Sequence, residues 1–251
     1  TTKEYSPEEF SKYHPEPQKE TKNHITDIFV DILNMPKRMR RLGWVQFFSW
    51  FALFTMWVYT TSAVATHHYA LEPSDTSSLL FNEAGDWVGV LFGVYNFAAI
   101  GFAFLLTPLA NLTSRKFVHI LALIFGGIGL LSMYFIDDPQ WLILSMIGIG
   151  FAWASILAMP YALLIDSLPL TKMGVYMGIF NFFIVIPQII NGFIGGPIIR
   201  SFFSDYAIYY VVFGGVLFLL AALFTFRVEE PLFNEQEIKE MERRSRMVKD
   251  L

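Results

Sequence analysis

The chain has 251 residues, of which 54% are hydrophobic and only 16% charged, with a formal net charge of −4 and a mean hydropathy of +0.46. Ordinary soluble domains carry about 25% charged residues, so this composition excludes a soluble catalytic, secreted or nucleic-acid-binding protein. No cysteine is present, which removes disulfides and thiolate metal sites.

Residues 1–23 are polar and rich in Glu, Lys and Pro, and read as a mobile linker. The chain starts at Thr1 without an initiator Met, so its beginning reads as a cut or processed boundary. Residues 24–41 carry Ile25, Ile28, Phe29, Ile32 and Leu33 at helical spacing, opposite Asp27, Asp31 and Asn34. This is an amphipathic helix, expected either along the inner membrane surface with Arg38, Arg40 and Arg41 near the headgroups, or against another domain.

Residues 42–227 hold six stretches free of Asp, Glu, Lys and Arg: 42–71, 87–114, 117–136, 139–165, 173–199 and 206–226. A bilayer core of about 30 Å needs a helix of roughly 20 residues, so each stretch is long enough to span. The expected fold is therefore all-α, a bundle of six transmembrane helices in a lipid bilayer, followed by a charged tail over 228–251. The basic cluster Lys37-Arg38-Met39-Arg40-Arg41 precedes the first span, whereas the next loop has four acidic residues and no basic one. Placing both termini in the cytoplasm puts 17 of the 18 Lys and Arg residues inside, with Arg200 the exception.

Polar residues inside a bilayer must find partners or line water. In the first span Trp50, Phe54, Trp57 and Thr61 share a face, where indoles can flank a cavity or simply pack. The fourth span carries Trp153, Ser155 and then Pro160-Tyr161. The fifth carries Asn181, Gln188 and Asn191 on one side of an otherwise apolar helix, with Pro187 among them. Amides hydrogen-bond neutral hydroxyls without burying a charge, and they also join helices. Proline releases a backbone carbonyl one turn earlier, so both helices are expected to break or hinge. Gly89/Gly93, Gly174/Gly178 and Gly192/Gly196 are small-residue pairs that predict close helix packing.

No Asp, Glu, Lys or Arg lies in the middle of a span, and no His/Asp/Glu group has metal-ligand spacing. No metal or other cofactor is expected. Ser155 has no base within a turn, which argues against an enzyme.

The run Ala158-Met159-Pro160-Tyr161-Ala162-Leu163-Leu164-Ile165-Asp166, continued by Leu168 to Asn181 and by Ile184-Val185-Ile186-Pro187-Gln188, resembles the tenth span, cytoplasmic loop and eleventh span of one transporter group. That group is the sucrose-transporter-like branch of the major facilitator superfamily, related to the glycoside–pentoside–hexuronide cation symporters. Residues 36–59 are similar to the entry into its seventh span. The loop from Leu109 to Lys116 keeps the basic pair of the superfamily's cytoplasmic motif but lacks its acidic residue.

The resemblance implies the C-terminal six-helix half of a twelve-helix secondary transporter in the plasma or inner membrane. It implies symport of a sugar, a disaccharide or glycoside, with H⁺ or Na⁺, completed by an N-terminal six-helix half or a second copy of the chain. Trp57, Trp153, Asn181 and Gln188 are the expected substrate contacts. Pro160, Tyr161, Pro187 and Asp166 are the expected gating positions, Asp166 as an inner-gate or loop-anchoring carboxylate. A non-transporting membrane scaffold or sensor built on a transporter half is the alternative.

Overall fold

The computed structural model describes residues 31–168 and 173–229. The expected linker, residues 24–30 of the amphipathic segment and residues 230–251 of the charged tail lie outside the described residues. Among those described there is no strand, and six helices are long and apolar enough to cross a membrane. They are α1 (Lys37–His67), α2 (Leu79–Leu112), α3 (Arg115–Ser132), α4 (Leu142–Leu164), α5 (Met173–Phe203) and α6 (Ile208–Phe226). Short 3₁₀ turns, Pro139–Trp141 and Ile165–Ser167, flank α4.

The helices extend the charge-free stretches where charge is harmless. Helix α1 begins at Lys37, just after Pro36, so the basic cluster forms its first turns. Helix α2 begins at Leu79, eight residues ahead of its charge-free stretch, and carries Glu83 and Asp86 in its opening turns. Its start is fixed by Ser78, whose hydroxyl accepts from the Phe81 N–H at 3.1 Å. Ser114 caps α3 in the same way through the Phe117 N–H at 3.0 Å. Such caps satisfy N–H groups that a helix leaves unpaired.

Around the bundle the helices neighbour one another in the order α5, α1, α6, α3, α4, α2, with α1 also meeting α4 and α2. The core is built from Leu53 and Met56 of α1, Leu91 of α2, Leu123 and Leu130 of α3, Leu142 of α4, Phe180 of α5, and Tyr210 and Phe218 of α6. In lipid, association depends on close packing rather than on the hydrophobic effect. Glycines at the α3 contacts allow it: a Cβ on Gly126 would lie 2.5 Å from that of Ala152, and one on Gly129 would lie 2.5 Å from the Ser145 carbonyl.

The three small-residue pairs singled out in the sequence behave otherwise. A Cβ on Gly89, Gly93, Gly174, Gly178 or Gly196 meets nothing within 4 Å, and one on Gly192 meets only Phe54 at 3.9 Å. They face outward from α2 and α5, the two least buried helices, so they do not tighten this bundle. The spacing of small residues shows that a helix face is smooth; it does not show which side of the helix is occupied.

Buried hydroxyls are satisfied locally. Ser49, Thr55, Thr60 and Thr225 each donate to a carbonyl four residues earlier in their own helix, at 2.6–2.9 Å, as an apolar solvent demands. At the end of the bundle that holds Lys37 and Phe226, cations cover the terminal carbonyls of α4 and α6. Arg38 donates to the Leu163 carbonyl at 3.3 Å, Arg115 to that of Ala162 at 2.8 Å, and Lys116 to that of Phe226 at 2.9 Å. These groups lack intrahelical donors and carry the negative pole of the helix dipole. This is the basic end of the bundle.

Candidate functional site

Helices α1 and α4 lie side by side between α2 and α5, and their half-buried aromatic residues meet there. Trp57 of α1 and Trp153 of α4 pack edge to face, with ring centroids 5.4 Å apart at 88°. Trp50 joins them at 6.2 Å from Trp57 and 5.8 Å from Trp153. The indole N–H of Trp57 donates to the Tyr95 hydroxyl of α2 at 3.1 Å. The N–H of Trp50 is buried and has no partner, as are both amide atoms of Gln46 one turn before it. Three indoles thus form one cluster across α1 and α4, and two of them are expected site residues.

The three amides of α5 separate. Asn181 is exposed and accepts a hydrogen bond from the Tyr161 hydroxyl of α4 at 3.2 Å. Gln188 donates to its own helix, to the Ile184 carbonyl at 2.9 Å. It lines a groove of about 480 Å³ with Phe54 and Gly192. Asn191 is fully buried and structural: it donates to the Thr55 hydroxyl at 2.6 Å and the Phe51 carbonyl at 3.0 Å, and accepts from Tyr210 at 3.3 Å. Asn191 lies about 60° around the helix from Gln188 at 100° per residue, enough to turn it into the α1–α6 contact.

A larger groove of about 660 Å³ runs between α2 and α4 toward the basic end, lined by Asn96, Thr107, Trp153, Ala158 and Arg115 among others. Trp153 therefore belongs both to the indole cluster and to this groove. Among the described residues no hydrogen bond or ring contact joins the indole cluster to Asn181 or Gln188: Trp57 and Trp153 meet on α1/α4, Asn181 pairs with Tyr161 on α4/α5, and Gln188 stands apart on the α1/α5 groove.

The helices run unbroken through Pro160 and Pro187, in contrast to the expected breaks. Asp166 falls in the 3₁₀ turn Ile165–Ser167, and its side chain lies outside the described part of the structure. Among the described residues no group of three or more His, Asp or Glu is placed to hold a metal ion.

One pairing was not legible from the sequence. His119 of α3 and Ser155 of α4 are both fully buried, with His119 Nδ1 2.8 Å from Ser155 Oγ. The imidazole that Ser155 lacks within its own turn comes from the neighbouring helix. Both groups are shut off from the solvent-exposed surface, each with no accessible area.

An uncharacterized MFS-type transporter of Methanocaldococcus jannaschii is 27% identical over 153 residues, a match that takes in 61% of this chain. The chain spans only 39% of that relative's length. No solved structure matches the chain. The profile of the Major Facilitator Superfamily matches residues 42–249, from within the first span through the sixth. Six apolar helices, an uncharged polar and aromatic face between them, and that match together place the chain in the Major Facilitator Superfamily.

Proposed function

We propose that the chain is the C-terminal six-helix half of a sugar transporter of the sucrose-transporter-like branch, moving a disaccharide or glycoside together with H⁺ or Na⁺ by alternating access. The observation that carries this reading is the face of α1 and α4 between α2 and α5. It bears three clustered indoles and, where α4 meets α5, the Tyr161 hydroxyl bonded to Asn181, yet no charged side chain at its centre. Indole faces and neutral amides suit an uncharged ring rich in hydroxyls. The outward glycines of α2 and α5 leave room for close approach by further helices, supplied by an N-terminal half or by a second copy.

In this reading Trp57, Trp153, Asn181 and Gln188 contact substrate, Asn181 nearer the basic end than the other three. The Tyr161–Asn181 hydrogen bond closes α4 against α5 on the cytoplasmic side, which is the basic end. Pro160 and Pro187 leave one carbonyl each without a backbone donor, so those turns yield first when the gate opens. Asp166 anchors the loop beyond α4.

The test is uptake of labelled sucrose and related glycosides by the full-length protein in liposomes, with Asn181→Ala and Gln188→Ala. The reading expects uptake by the parent and a loss of about tenfold or more in each variant, the scale of a lost buried polar contact. Unchanged uptake in both variants removes them from the site. Sugar binding without uptake by the parent supports a sensor instead.

A further inference from the structure

We propose that His119, held against Ser155 behind the α2–α4 groove, is a proton-binding residue of the transport cycle. The inference rests on the cation-coupled reading above and names the cation.

Among the described residues of the six helices, His119 is the one fully buried ionisable side chain apart from tyrosine. Its Nδ1 meets Ser155 Oγ at 2.8 Å, while its Nε2 is buried with no hydrogen-bond partner. Either tautomer leaves that atom unpaired. If Ser155 donates to Nδ1, the Nε2–H has no acceptor; if Nδ1 donates to Ser155, Nε2 presents a bare lone pair. An unpaired polar atom in an apolar interior costs about 1–3 kcal/mol, which a plain packing residue would avoid. The second tautomer is a vacant proton acceptor inside the bundle.

Adding a proton to Nε2 gives an imidazolium that needs an acceptor on both nitrogens. This arrangement offers one only at Nδ1. Protonation therefore requires α3 and α4 to shift so that water or a carbonyl reaches Nε2. A ligand moves a conformational equilibrium only by binding one state better than the other, and here the state seen is the one that binds the proton poorly.

The route is short. Ala154 and Met159 line the α2–α4 groove, and they pack in one cluster with Val118 and Ala122, the residues around His119. Small and flexible side chains beside His119 and Ser155 thus reach the groove wall. The charged and titratable groups around it are few. On α3 itself Arg115 and Lys116 lie a turn away, directed to the carbonyls of Ala162 and Phe226. Helix α4 contributes only Tyr161; α6 contributes Tyr209 and Tyr210, and α2 contributes Glu83, Asp86 and Tyr95, with the acidic pair at its opposite end. Asp166 follows α4, with its side chain outside the described residues. No described carboxylate faces the ring, so water in the groove is the acceptor that the opened state supplies.

Two measurements on the full-length protein in liposomes test this. The first is histidine-selective NMR from about pH 8 to pH 4, the span in which imidazoles titrate, with the His119→Gln spectrum assigning the signal. The proposal expects the His119 resonance to titrate in that range and its midpoint to move in Ser155→Ala; a ring that stays neutral throughout overturns it. This readout needs no transport, so it decides the matter even if sucrose proves not to be carried. The second is the initial rate of sucrose uptake at about pH 5.5 and pH 7.5. A parent ratio of roughly fivefold should collapse toward one in His119→Gln and shift in Ser155→Ala. An unaltered pH profile in His119→Gln overturns the proposal, and if that variant fails to fold, an unaltered profile in Ser155→Ala does so.

Discussion

The carboxamide of Asn191 donates to the Thr55 hydroxyl at 2.6 Å, and through that bond α5 is held to α1. The same side chain accepts from Tyr210 of α6, so one residue joins three helices. Asn191→Leu keeps the volume but removes the bonds. It should lower the thermal midpoint of the purified protein in detergent, with a loss of about 1–2 kcal/mol, the upper range for interhelical hydrogen bonds. Asn181→Leu, on the exposed side of the same helix, should leave the midpoint within error.

The glycines divide into two functional groups that a single experiment can separate. A Cβ at Gly150 would collide with the Tyr95 carbonyl and lie 2.8 Å from the Ala98 Cβ, so Gly150→Ala should destabilise by about 1–3 kcal/mol through overpacking. Gly174→Ala meets open space and should fold normally. Thermal melts of the two variants, run together, check the contrast.

Trp57 and Tyr95 join α1 to α2 by the indole N–H to the hydroxyl at 3.1 Å. Trp57→Phe and Tyr95→Phe should each weaken the fold, and the double variant should cost less than their sum. A coupling of about 0.5–1 kcal/mol in a double-mutant cycle is expected. Simple additivity would show that the indole is held by packing alone.

The exposed ion pair between Arg41 and Glu229, 2.6 Å long, ties the start of α1 to the segment after α6. Its hydrogen bond and charge hold the Glu229 carboxyl below its ordinary 4.5. Because the folded value is depressed, the pair stabilises above about pH 4.5 and loses that contribution as pH falls through the folded value. The difference between parent and Glu229→Gln melts should be small, should vanish on acidification, and should shrink in high salt.

The spans were legible because a bilayer forbids charge, and the six stretches without Asp, Glu, Lys or Arg correspond to the six helices. Their ends were less so, since helices continue past the hydrocarbon into water. Glu83 and Asp86 sit in α2 for that reason. Helical spacing put Trp50 and Trp57 on one face and left open what they meet; Trp153, far along the chain, completes the cluster. The pairing of His119 with Ser155 escaped notice because periodicity describes one helix at a time, whereas their hydrogen bond depends on how α3 lies on α4. The glycine pairs misled for a related reason: Gly174/Gly178 has the same spacing whether its face is covered or bare.

Arg38 from α1 and Arg115 from α3 each donate to one of two consecutive carbonyls at the end of α4. This clasp has a mechanical consequence. Tilting α4 away from either neighbour at that end strips an arginine from the negative pole of the helix and leaves a part-buried carbonyl without that donor. Helices α1, α3 and α4 are therefore tied to one another at the basic end, like spokes fixed to one hub. Between α4 and α5, by contrast, the polar tie among the described side chains is the Tyr161–Asn181 hydrogen bond, so there a lone phenol does what two guanidinium groups do at the clasp.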